Sequence, residues 1–164
     1  SHRGICLCFE GERYNDEYSM TLYEPNKGQK VAIQGQFRKV TYDVNNDLCI
    51  VSIFDKYRNA SIAEERIFTK LHMWTYEQEY RMQIRDSDMQ NKEIFEYHKG
   101  CLKGIIFGLE IDKQDIVRVY NIVNENYLKE GFNVKFFEAK EEMGKYKINI
   151  EEIPDIEQYI VSLS

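Results

Sequence analysis

The chain has 164 residues, 43% of them apolar and 30% charged, and carries a net charge of −6. That size and mixture describe one ordinary globular domain able to bury a core without staples, and they exclude fibrous and disordered classes. The acidic balance excludes non-specific nucleic-acid binding, and no apolar run approaches the roughly 20 residues of a membrane helix, so a cytoplasmic protein with no membrane partner is expected.

Ile5–Glu10 opens the chain as a strand, with Ile5, Leu7 and Phe9 on one face and the small Cys6 and Cys8 on the other. Both faces read as buried, which predicts a central strand, with His2 and Arg3 at its start. So strong a strand with almost nothing before it suggests a fragment lacking its N-terminal part. Residues 11–35 are polar, tyrosine-rich and turn-prone, with short strands expected at Ser19–Tyr23 and Lys30–Gln34. Another strand is expected at Arg38–Asp43, around Phe37, Val40, Tyr42 and Val44.

Asp47 is placed to cap a helix through Tyr57, and Ser61-Ile62-Ala63-Glu64 spells a capping box. The helix it opens should carry Ile67, Phe68 and Leu71 inward and stop near His72. Leu71–Arg85, LHMWTYEQEYRMQIR, then alternates with period two. Trp74, Tyr76, Tyr80, Met82 and Ile84 fall on one side; Thr75, Glu77, Glu79, Arg81, Gln83 and Arg85 fall on the other. The pattern predicts a strand with one apolar and one charged face, although Glu77 and Arg81 would also make a helical i,i+4 pair.

Asp86–Lys92 is a charged turn region, Ile94–Tyr97 a short strand, and Gly104–Gly108 a buried strand ending in a turn. Asp112 caps a helix expected through Lys129, with Asp115 favouring its positive end and Gly131 as its stop. Ile116, Val119, Tyr120, Val123 and Tyr127 form its inner stripe. Asn133–Lys140 and Lys145–Glu151 predict a hairpin around Gly144, and Pro154-Asp155 starts a short closing element. The whole reads as a single α+β domain, 1–164, with a mixed or mainly antiparallel sheet and about three helices packed on it.

Cys6, Cys8, Cys49 and Cys101 form no CxxC pair and no tight spacing with His2, His72 or His98, so no metal is expected and the cysteines read as reduced core residues. Gly104 and Gly108 lack the pattern of a phosphate loop, and no GxSxG elbow is present.

HRGICLCFE at the front, WTYEQEYRM in the middle and LKGIIFGLEI before a helix and a terminal hairpin resemble the bacterial family catalogued as domain of unknown function 2971. Members show a histidine and glycine ahead of a cysteine-bearing strand, a W-x-Y-E-x-E-x-R block and a later hydrophobic strand with glycine. The resemblance spans most of the chain and implies no activity by itself. Members usually have further sequence before the first of these motifs.

Two carboxylates two residues apart on a strand are separated by roughly 6.6 Å between Cα atoms and can share a ligand. Such neighbours commonly divide into one protonated and one ionised group, which suits stabilisation of an oxocarbenium-like centre. Glu77-Gln78-Glu79 also resembles the Glu-x-Glu motif of the ADP-ribosyltransferase superfamily. That resemblance implies Glu79 as the residue that orients the nicotinamide ribose of NAD and Glu77 as the one that acts on the acceptor. It places His2, Arg3, Arg81 and Tyr76 in substrate binding, with no cofactor required and NAD as a dinucleotide substrate. The plainer alternative makes Glu77, Glu79 and Arg81 a solvated strand face with a surface salt bridge, and Trp74 a core anchor. Twelve tyrosines fit a protein partner surface equally well, which keeps a non-catalytic interaction module open. A third option is a carboxylate-based hydrolase of another glycosidic substrate.

Overall fold

The structure, a computed structural model, describes residues 2–14, 17–23, 32–43, 65–84, 94–145 and 147–163. The expected helix Asp47–Tyr57, the capping box at Ser61, and the turn residues 15–16, 24–30 and 85–92 lie outside the described residues. The fold class is α+β with mainly antiparallel sheets. Residues 1–164, read as one domain from the sequence, group into two compact units. One comprises Ser1–Gly11 and Tyr97–Ser164, the other Glu12–Glu96. No helix among the described residues is long and apolar enough to cross a membrane.

In chain order the strands are β1 (Ile5–Phe9), β2 (Glu12–Tyr14), β3 (Glu17–Tyr23), β4 (Ala32–Lys39), β5 (Thr41–Asp43), β6 (Thr69–Leu71), β7 (Tyr80–Met82), β8 (Glu96–Tyr97), β9 (Leu102–Phe107), β10 (Lys135–Glu141) and β11 (Ile148–Ile153). Helix α1 (Lys113–Asn126) lies between β9 and β10, and α2 (Ile156–Ser162) follows β11.

The first unit is a four-stranded sheet in the order β1-β9-β10-β11. β9 and β10 run parallel and are joined through α1; the other two pairings are antiparallel. Asp112 starts α1 as predicted, its carboxylate accepting from the Gln114 amide at 2.8 Å. Ile116 and Val123 of the inner stripe are buried with Leu102, Ile105, Phe107, Val134, Phe136 and Ile153, while Val119, Tyr120 and Tyr127 pack around them. α1 ends at Asn126 rather than Lys129; a 3₁₀ turn over Leu128–Glu130 follows, and Gly131, at φ 88°, stops it. Phe107 stacks on Phe136 with ring centroids 5.9 Å apart. At the rim of this core the Tyr97 and Tyr127 hydroxyls meet at 2.8 Å, and burial followed by that bond pushes the Tyr97 phenol well above its ordinary range. Gly108 donates to the Gly4 carbonyl at 3.0 Å, and a Cβ there would collide with the His2 backbone carbonyl, so only glycine lets the N-terminal segment lie against the end of β9.

β1 is not central. Among the described residues it is the outermost strand of this sheet, with Ile5, Leu7 and Phe9 each about two-fifths exposed. Two apolar faces signal burial on both sides of a strand but carry no information about whether a neighbour lies on both edges.

In the second unit β2-β3-β4-β7 form an antiparallel sheet, and β5 pairs with β6 in parallel. Met20, Leu22, Val40 and Phe68 are buried, and the Arg38 guanidinium sits 4.7 Å from the Phe68 ring centroid. The helix expected to reach His72 has ended by Phe68: residues 65–67 are helical, and Thr69–Leu71 form β6. Thr69 bonds back to the Glu65 carbonyl at 2.8 Å, and the Phe68 carbonyl accepts from the Thr41 amide at 2.7 Å. Pairing with β5 thus takes over backbone groups that further helix would have used.

Phe107 is 1% exposed at the centre of the first unit's core. Phe107→Ala should cost about 3–5 kcal/mol, whereas Met143→Ala, at a fully exposed position, should stay within about 0.5 kcal/mol. Urea unfolding midpoints of the two variants check this.

Candidate functional site

The alternating stretch is not one strand. Leu71 is extended, and His72–Glu77 then wind into a 3₁₀ helix, where the Thr75 hydroxyl donates to the His72 carbonyl. Gln78 reverses the chain with φ 45° and ψ 45°, a left-handed conformation that a residue with a Cβ adopts at a cost of roughly 1–2 kcal/mol. Extended backbone resumes at Glu79, whose carbonyl accepts from the Val40 amide at 2.9 Å and whose amide donates to the Tyr42 hydroxyl at 2.8 Å. Tyr80–Met82 then form β7 against β4. Alternation over ten residues is equally satisfied by a short 3₁₀ segment and a reversal, because neither side of this stretch lies deep in a core.

The turn nevertheless brings the charged trio together, around a residue that the sequence reading passed over. Arg81 donates through Nε to Glu79 Oε1 at 2.7 Å and through Nη2 to Glu79 Oε2 at 2.9 Å, a two-pronged pair. Lys70 Nζ bonds Glu77 Oε2 and reaches Glu79 Oε2 at 3.3 Å. Arg81 Nη1 also bonds the Ile67 carbonyl. All four side chains are half-buried. Lys70 contributes from β6, on the near side of the 3₁₀ helix, while Glu79 and Arg81 lie beyond it. The network therefore straps the two ends of the turn to each other.

Electrostatics follow from this geometry. The Arg81 bond, helped by Lys70, lowers the Glu79 carboxyl to about 2, although partial desolvation works against it. Arg81 is raised by Glu79, and Lys70 is raised mainly by its bond to Glu77. Cations, rather than a second carboxylate alone, are the nearest neighbours of Glu79 and keep it ionised. Both its oxygens are engaged, so at neutral pH it has no proton to donate.

All residues of the turn are exposed, and large apolar side chains are among them. Met73 is 69% exposed, Tyr76 73% and Trp74 38%, so Trp74 is no core anchor. The Trp74 and Tyr76 rings lie 5.9 Å apart between centroids, and Lys70 Nζ sits 5.2 Å from the Trp74 ring centroid.

His2 and Arg3 belong to the other unit. The His2 carbonyl accepts from the Glu110 amide at 3.0 Å, and Arg3 Nε lies 3.6 Å from Glu110 Oε2 with both side chains largely exposed. Arg3 borders an open groove of about 920 Å³ formed with residues 110–115. Of the sequence-derived candidates, then, Glu77, Glu79 and Arg81 share one network, Tyr76 stands beside it in solvent, and His2 and Arg3 have surroundings of their own. Lys70 had a weak signal, being the cation that precedes the glutamates; Tyr42 had none, since 37 residues separate it from Glu79. No family model, curated protein or solved structure matches the chain.

A carboxyl with a depressed folded-state pKa stabilises the fold above its ordinary value, and that contribution fades as pH falls through the folded value. For Glu79 the window runs from 4.5 down to about 2. The stability difference between wild type and Glu79→Gln should be largest at neutral pH and shrink across that window, as read from denaturant midpoints at successive pH values. A difference independent of pH would refute the pairing.

Proposed function

We propose that this chain is a non-catalytic protein-interaction module whose contact element is the 72–77 turn. The observation that carries the reading is a contrast within a few residues. Both oxygens of Glu79 are committed to Arg81 and Lys70, while Met73, Trp74 and Tyr76 face solvent. Exposed aromatic side chains on a rigid backbone lose little entropy on docking, and aromatic residues and methionine are enriched where proteins bind one another. The strap across the turn supplies that rigidity. The resemblance to domain of unknown function 2971 belongs to the same proposal, and a shared WTYEQEYR turn would be its common feature.

Retention of partners by immobilised wild type and by a Trp74→Ala/Tyr76→Ala variant tests this. A partner held by wild type should lose about 2 kcal/mol or more in the variant, roughly 30-fold in Kd, with an unchanged melting temperature. Equal retention by both proteins counts against the turn.

A second reading, NAD cleavage or ADP-ribosyl transfer through Glu77 and Glu79, is favoured by one observation: both carboxylates reach the same cationic group, Lys70 Nζ. Two acids that hold an ammonium between them can hold another positive centre if the lysine withdraws. On this reading Lys70→Met should raise NAD turnover and Glu79→Gln abolish it. Absence of NAD-dependent quenching of the lone tryptophan in both wild type and Lys70→Met would remove it.

A further inference from the structure

The first unit has a strand edge that its own described residues leave open. Gly108 donates to Gly4, Glu110 to His2, and Glu10 to Cys101, so the even-numbered residues of this segment direct their backbone groups toward β9 and its flanks. In an antiparallel ladder, residues that exchange both hydrogen bonds alternate with residues that exchange none. With Gly4 bonded to Gly108, and the pairs Cys6↔Ile106 and Cys8↔Gly104 continuing that register, the amides and carbonyls of Ile5, Leu7 and Phe9 point away from the sheet. No other described strand pairs with them.

This edge lacks the usual protections. Residues 5–9 contain no charge, no proline and no inward-pointing lysine, and the bulge comes only at the Cys8–Phe9 step. Ile5, Leu7 and Phe9 lie opposite Phe107, Ile105 and Leu102 of β9, yet remain about two-fifths exposed. They extend the apolar sheet beyond what their own unit covers. The ends of the strand carry opposite charge. Arg3 leads in and Glu10 leads out, and both side chains are more than two-thirds exposed despite their contacts with Glu110 and Lys103. An antiparallel copy of the same segment sets each positive end beside a negative one.

We propose that β1 pairs antiparallel with β1 of a second copy of this chain, about a two-fold axis at Leu7, joining the two sheets edge to edge. Outward-facing backbone must meet outward-facing backbone, so Ile5 pairs with Phe9 of the second copy and Leu7 with its own equivalent. These pairs bring the exposed apolar side chains against one another across the strands. The same register sets Cys6 directly opposite Cys8 of the second copy in a non-hydrogen-bonded pair, where Cα atoms approach to about 4.5 Å, within the range a disulfide spans. The structure leaves the Cys6 thiol exposed and Cys8 partly so.

That juxtaposition makes the register testable. Sedimentation equilibrium of the 164-residue chain should give twice its 19.6 kDa mass, and Leu7→Lys, which sets two ammonium groups side by side on the axis, should return it to the monomer mass with unchanged circular dichroism. Diamide should cross-link wild type into a reducible dimer, accepting two electrons and two protons as each Sγ–Sγ bond forms. Cys6→Ser and Cys8→Ser should each lose the cross-link, and an equimolar mixture of the two should regain it, because the remaining Cys8 of one variant faces the remaining Cys6 of the other. The mixing test needs no change that disturbs folding. A monomer at all concentrations up to about 1 mM, as an edge reserved for another segment or another protein would give, overturns the proposal. So does a dimer indifferent to Leu7→Lys, or a cross-link that survives in either single cysteine variant.

Discussion

The pairing of Arg81 with Glu79 is the interaction on which the second unit's most distinctive feature depends. It closes a charged strap from β6, across a 3₁₀ helix and a left-handed reversal, to β7. A left-handed glutamine has a conformational cost, and a six-residue 3₁₀ helix with no buried residue has little packing to retain it. The bonds from Lys70 to both glutamates, from Arg81 to Ile67 and from the Glu79 amide to the Tyr42 hydroxyl hold both ends of the turn. Half-buried charges joined in a network and by a two-pronged contact hold geometry better than isolated surface pairs do.

The same network decides what chemistry this face can do. Two carboxylates with a single arginine beside them suggest acid–base work, because each acid would perturb the other. Adding Lys70 supplies a second cation and alters that balance. Glu79 becomes a fixed anion whose oxygens are occupied, and on the reading proposed above the neighbouring aromatic side chains are the groups that meet a partner. The network thus acts through the surface it shapes.

The first unit rests on a different principle. Its core is apolar and contiguous: Phe107 against Phe136 within the sheet, with Ile116 and Val123 of α1 laid over them. Burial of each such side chain contributes about 1.5–3 kcal/mol, and capping by Asp112 and Asp155 orients the helices that provide it. The strand at the margin of that core keeps apolar side chains and open backbone together. Such a combination calls for a covering neighbour.

Where periodicity and chemistry were both strong, the sequence alone determined the outcome. Asp112 and Gly131 bracket α1 and its terminal turn, the 3.6-residue stripe from Ile116 to Tyr127 marks the face that is buried, and the glycine-centred hairpin forms because these signals are local and agree with one another. Three matters were decided only by tertiary structure. Within the stretch read as one strand, residues 72–78 became a turn because β5 captured Thr69–Leu71 and Tyr42 captured the Glu79 amide, and neither partner is near in sequence. β1 became an edge because alternation reports which faces a strand buries and says nothing about its neighbours in the plane of the sheet. Glu79 became an ion-paired strut because Lys70 arrived through the fold: a carboxylate's role is set by the charges around it in space, and sequence spacing records only those nearby along the chain.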